Sequence, residues 1–160
     1  MIVASLPDSR ASADGLTFRV AAAADLPQLA SWNKQLIEDE SHDNTMSLEE
    51  LVARMRNWLT TEYQALIFED PAAPVAYALL RDTPEWVHLR QFFVARDRRR
   101  RGIGARAVAL LRDSVIPPDK PVIVEAMAWN HPALSFWRAV GFADRYVGLE
   151  SRPAASVRRP

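Results

Sequence analysis

The sequence predicts a single mixed α/β domain, with helices layered on a sheet. Three observations carry this. The chain has 160 residues, about one domain's worth. Its hydrophobic period changes from helical to alternating after Tyr63. The second half then runs strand, loop, helix, strand, helix, strand, an order that places helices against a sheet. No internal repeat is visible.

Residues 1–15 are small and polar and are expected to form a flexible leader, with the domain at 16–151 and a disordered tail at 152–160. Thr17–Val20 reads as a short strand. Asp25 is expected to cap a helix with Leu26, Leu29, Ala30, Asn33, Leu36 and Ile37 on one face, broken by the polar stretch Asp39–Thr45. Ser47 and Glu50 have capping-box spacing, ahead of a helix expected to bury Leu48, Leu51, Val52, Met55 and Leu59. Ala65–Phe68 and Val75–Leu80, bounded by Asp and Pro, read as strands of a meander. Trp86–Val94 is a longer strand. Strict alternation puts Trp86, His88, Arg90, Phe92 and Val94 on one face, and Val87, Leu89, Gln91 and Phe93 on the other. A helix follows with Ile103, Ala107, Leu110, Leu111 and Ser114 at core spacing, ended by Pro117-Pro118. Val122–Ala128 reads as a buried strand and Pro132–Val140 as a short helix stopped by Gly141. Phe142–Tyr146 is expected to be a last strand.

Composition narrows the function. There is no cysteine, which excludes disulfides, cysteine-based zinc sites and a thiol nucleophile. His42, His88 and His131 lack metal-ligand spacing, so no metal is expected. No run approaches the roughly 18 apolar residues of a membrane span. The first ten residues lack a basic flank and a long apolar stretch, so no secretory signal is expected and the cytoplasm is the expected compartment. Net charge is zero but segregated: residues 1–80 hold 5 basic and 12 acidic side chains, residues 81–160 hold 15 and 8. Such asymmetry suits an anionic ligand on one half and a cationic one on the other, or simply a charged surface.

The strongest local signal is Val94-Ala-Arg-Asp-Arg-Arg-Arg-Arg-Gly-Ile-Gly-Ala105, a strand running through a basic loop into a helix. The first N–H groups of a helix lack intrahelical partners and bind anions. Glycines at 102 and 104 let the backbone approach a bulky pyrophosphate. A Walker loop is absent. The dinucleotide fingerprint also fails, because Ala107 stands where its third glycine belongs.

Here the chain resembles the GNAT (GCN5-related) N-acetyltransferases. Arg99-Arg100-Arg101-Gly102-Ile103-Gly104 fits their cofactor loop, Gln/Arg-x-x-Gly-x-Gly/Ala. Asn130-x-x-Ala133-x-x-Phe136-Trp137 ending in Gly141-Phe142 fits their second motif. The resemblance implies a twisted, mostly antiparallel sheet whose central strands splay, helices on both faces, and acetyl-CoA as cofactor. It implies that Phe92, Phe93 and Val94 hold the pantetheine arm, with the Val94 N–H facing the thioester carbonyl. Backbone amides of Arg99, Arg100, Arg101, Gly102, Ile103, Gly104 and Ala105 would take the pyrophosphate, and Asn130 and Trp137 would line the thiol end. Many members carry tyrosine at position 137 as an acid. Indole does not titrate usefully, so Trp137 reads as a packing residue, and water, Ser135 or Tyr146 stay open as the acid.

His88, six residues before Val94 and assigned to the same strand face, is the expected base, with Glu125 and Glu85 in reserve. The resemblance implies that the loop between the first two helices borders the acceptor, so Glu38 and His42 there, with Asn33 at a helix-core position, are expected to bind a small-molecule or peptide amine. The expected reaction is direct attack of a neutral primary amine on the acetyl thioester. A catalytically silent acyl-CoA-binding regulator is the alternative suggested by Trp137. A nucleic-acid module is disfavoured by overall neutrality. A homodimer stays open.

Overall fold

A computed structural model describes residues 15–151 together with the backbone of Ser12 and Ala13. Among the described residues, six strands form one sheet in sequence order. These are β1 (Ser12–Ala13), β2 (Leu16–Val20), β3 (Gln64–Glu69), β4 (Pro74–Asp82), β5 (Val87–Val94) and β6 (Val122–Val124). Neighbours are antiparallel from β1 to β5, and β6 lies parallel to β5. The helices are α1 (Leu26–Asp39), α2 (Leu48–Thr60), α3 (Ile103–Ser114) and α4 (His131–Ala139).

The sheet is apolar on both sides, as a layer sandwiched between helices must be. On one side Phe68, Ala78, Val87 and Leu89 pack with Ile103, Ala107 and Leu111 of α3 and Trp137 of α4. On the other, Ile67, Tyr77, Leu79 and Phe93 pack with Leu29 and Trp32 of α1 and Met55 of α2. The mixed sheet with helices on both faces is the architecture expected. The Ser47–Glu50 capping box forms in both directions, at 3.2 and 2.7 Å, so α2 starts where the sequence says. Among the described residues no helix is long and apolar enough to cross a membrane.

Several expectations need correction. Most of the expected leader and tail lies outside the described residues, but Ser12 and Ala13 pair with Thr17 and Leu16 around Gly15, whose φ of 80° suits a tight hairpin. Asp25 does not cap α1 with its side chain. It ends a 3₁₀ turn, where its carboxylate accepts from the Ala22 N–H and from both terminal nitrogens of Arg19 at 2.7 and 2.9 Å. The arginine fork takes the oxygens a cap would need. β6 stops at Val124 rather than Ala128, because the chain turns through Met127–Asn130. Phe142–Tyr146 forms no strand. Phe142 packs edge-on against Trp137 at 4.9 Å, and Asp144 is clasped by Arg138, so the segment is held by side chains instead of a ladder.

Strict alternation along β5 also fails. Leu79 pairs with Gln91 and Leu80 with Leu89, leaving Arg90 as the extra residue of a β-bulge. Arg90 and Gln91 therefore both face α1 and α2, and every later side chain is inverted relative to the sequence reading.

Candidate active site

β5 pairs with β6 only over Val87–Leu89, yet continues five residues to Val94. The strands part there, and a cleft of ≈ 520 Å³ opens. Its walls are α1 and its C-cap (Asn33, Leu36, Ile37, Glu40), α2 (Arg54, Trp58), β5 (Arg90, Gln91, Phe92), the stretch after β6 (Glu125, Ala126, Met127) and α4 with its N-cap (Asn130, Ala133, Trp137). The β5 backbone facing this gap has a defined polarity. The Ala95 N–H donates to Val75 C=O at 2.9 Å, so antiparallel alternation turns the polar groups of Val94 and Phe92 away from β4, toward the open edge. The Val94 carbonyl agrees with that direction by accepting from Arg99 Nε at 2.9 Å.

At the end of β5 the chain passes through a 3₁₀ turn, Arg96–Arg98, to Gly102. Gly102 sits at φ 72° in the left-handed region, with open space where a Cβ would be, and starts α3 without a side-chain cap. The first intrahelical bond is from the Arg106 N–H to Gly102 C=O, so the N–H groups of Ile103, Gly104 and Ala105 have no helical partner. Arg100 and Arg101 are exposed and, among the described residues, have no ion-pair or hydrogen-bond partner. A bare strand edge leading to a bare helix terminus flanked by free arginines fits a ligand with an amide-bearing arm and phosphates. Gly104 also carries a packing role that the sequence reading does not include. A Cβ there would meet the Phe136 ring at 3.0 and 3.1 Å, so this glycine admits an α4 side chain, packed against Val94.

The opposite wall carries titratable groups. His88 Nδ1 lies 3.3 Å from the Tyr63 hydroxyl, and Nε2 lies 3.6 Å from Glu125 Oε2. Burial pushes the His88 imidazole below its ordinary pKa, with Arg81 and Arg90 adding to this against the opposing pull of Glu125. Glu125 borders the cleft, 64% exposed at its side chain, and accepts from the Tyr146 hydroxyl at 2.7 Å. His88 lies behind it. The bulge puts His88 on the α1–α2 side and Val94 on the α3–α4 side, which corrects the expected shared face.

Of the expected acceptor residues, Asn33 and His42 border the cleft. Glu38 does not: it pairs with Arg96 at 3.0 Å, while Asp39 takes both Arg96 and Arg99. Burial opposes the charge on Asp39, but Arg99 and Arg96 hold its pKa below the usual carboxylate range. The acidic loop is thus clasped to the basic one. Glu40 does reach the cleft, its pKa raised by burial, and its carbonyl accepts from Trp129 Nε1 at 3.0 Å, tying the β6–α4 loop to α1. Asn130 caps α4, its side chain accepting from the Ala133 N–H at 3.2 Å. Trp137 is buried edge-on against Phe92, Phe136 and Phe142, as a packing residue. Sequence reasoning misses Arg54, Trp58, Arg90 and Gln91. Arg90 and Gln91 are readable only with knowledge of the bulge.

Comparison with known proteins agrees with this geometry. The family model described as "Acetyltransferase (GNAT) family" matches residues 29–142. No curated protein matches the chain. Among solved structures, an acetyltransferase from Thermus thermophilus is 19% identical, with a TM-score of 0.67 over 82% of this chain and 88% of its own. An acetyltransferase from Clostridium acetobutylicum, solved with acetyl-CoA, is 19% identical with a TM-score of 0.65 over 86% and 96%. An aminoglycoside N-acetyltransferase solved in complex with CoA is 14% identical, at 0.66 over 94% and 99%. These are likenesses of fold. The chain belongs to the GNAT acetyltransferase family.

Proposed function

We propose that this protein moves an acetyl group from acetyl-CoA, the family's cosubstrate, to a primary amine by direct attack. The observation that carries this reading is the parted β5–β6 edge, with an uncapped helix terminus at one end and Glu125 at the other. When bound, acetyl-CoA supplies an activated thioester as electrophile. Phe92 and Val94 would hold its arm through the outward backbone groups, and the start of α3 with Arg100 and Arg101 would hold its phosphates. The Val94 N–H is the donor available to negative charge developing on an oxygen at the parting, a contribution of about 3–4 kcal/mol where such donors have been removed. Glu125 takes the proton from the amine, directly or through one water. His88 positions Glu125 from behind, and the Tyr146 hydroxyl holds its other oxygen. Trp137 excludes water without exchanging protons.

A screen of primary amines with acetyl-CoA, followed by thiol release, tests the reading. It expects amine-dependent thiol release and a new amide in the product. If acetyl-CoA binds tightly but no amine raises thiol release, the protein is a silent acyl-CoA binder instead.

A further inference from the structure

Beyond the transfer itself, the acceptor wall of the cleft carries two guanidiniums that, among the described residues, no carboxylate pairs, although Glu40 and Glu125 border the same cleft. We infer that the acceptor amine carries a carboxylate of its own, held by Arg54 and Arg90, so that the substrates are small amino acids and their analogues rather than polycations. This rests on the acetyltransferase reading above.

The bulge gives Arg90 its direction. The Arg90 guanidinium lies over the Trp58 ring at 4.8 Å, and the Arg54 guanidinium over the same ring at 4.7 Å. Cation–π contact thus anchors both guanidiniums on one indole, although like charges repel. Both border the cleft, and among the described residues neither has a carboxylate partner. The arginines at 19, 81, 96, 98, 99 and 138 all do. Burial lowers the Arg54 pKa, and the neighbouring Arg90 charge lowers it further. An anion seated between the two guanidiniums removes that penalty and suits their forked donors.

A second, independent observation concerns Asn33, which is fully buried and borders the same cleft. The Tyr77 phenol, pushed up by burial and so neutral, donates to Gln91 Oε1 at 3.1 Å. With the amides so oriented, Gln91 Nε2 donates to Asn33 Oδ1 at 2.7 Å, and Asn33 Nδ2 is a buried donor without a partner. An unpaired buried N–H is costly, and here it borders the same cleft as the two guanidiniums. All three groups lack an acceptor. Cofactor phosphates do not meet this need, because Arg90 lies four residues, roughly 13 Å along an extended strand, before Val94 and faces away from α3.

The test compares α-, β- and γ-amino acids with their amides, and with an aminoglycoside, by thiol release and by calorimetric titration. Arg54→Gln and Arg90→Gln are run alongside. Each acid is expected to exceed its amide in kcat/KM by about tenfold or more. Either variant should shrink that ratio toward one while acetyl-CoA affinity holds. Transfer that proceeds equally well to amides, or better to the aminoglycoside, overturns the carboxylate site and leaves the acetyltransferase reading intact. Should no amine turn over, titration into the CoA-bound protein decides. Binding of acids alone, lost in Arg90→Gln, upholds the subsite while transfer fails. Equal or absent binding of acids and amides overturns it.

Discussion

Glu125 and His88 differ in how each meets the cleft, and a pair of conservative substitutions separates them. Glu125→Gln removes the only proton acceptor of the two that borders the cleft, so kcat should fall by about 10²-fold or more with acetyl-CoA affinity unchanged. His88→Gln removes a group 3.6 Å behind that carboxylate. Glu125 is 64% exposed, so solvent screens the pair from the carboxylate side, although His88 is only 13% exposed. Even a fully charged imidazolium at that distance would contribute only about 1 kcal/mol, less than tenfold in rate. The neutral ring contributes less. The assay is thiol release at saturating acetyl-CoA with the best amine from the screen, across pH 6 to about 9. Glu125→Gln should leave only the limb belonging to the amine, whereas His88→Gln should retain the wild-type profile at a slightly lower rate. A loss in His88→Gln as large as that in Glu125→Gln, with a displaced pH limb, would make the imidazole the base and refute the reasoning from distance.

Two further outcomes follow from the same structure. The folded His88 pKa lies below the ordinary 6.5, so between those values the unfolded chain binds the extra proton. Stability is therefore complete above about pH 6.5 and declines as pH falls through that window; Tm measured from pH 7 to about 5 should show a fall that His88→Gln flattens. Replacing Arg100 and Arg101 together by serine should weaken acetyl-CoA binding roughly five- to tenfold at low salt, with the difference shrinking in about 0.5 M salt as exposed charges are screened; calorimetry at both ionic strengths reads it, and a salt-independent deficit would point to a disturbed α3 terminus instead.

Much of the fold is legible because local chemistry and tertiary structure agree. The Ser47–Glu50 box and the glycine before α3 act within a few residues, and each does what its spacing predicts. What the sequence hides depends on distant partners. Nothing near Arg90 marks a bulge, since neither glycine nor proline is there; the extra residue exists because β4 and β5 pair in two registers. Phe142–Tyr146 looks like a strand by composition, but no neighbouring strand receives it, and Arg138 engages Asp144 first. Gly104 reads as a phosphate glycine, yet its missing side chain is required by Phe136, 32 positions later. Glu38 and Asp39 read as a free acidic loop because their arginines lie nearly 60 residues away.

That clasp bears on how the chain finds its shape. With acidic groups concentrated before residue 80 and basic groups after it, the unfolded chain is a blocky polyampholyte whose ends attract. The attraction acts before any strand has paired and draws the α1 region toward the β5–α3 region, the contact that Arg96 and Arg99 later make specific. Raising ionic strength should therefore expand the denatured ensemble and slow the first compaction. A rearranged sequence with the same composition and evenly mixed charges would lose that early guidance while keeping every core residue.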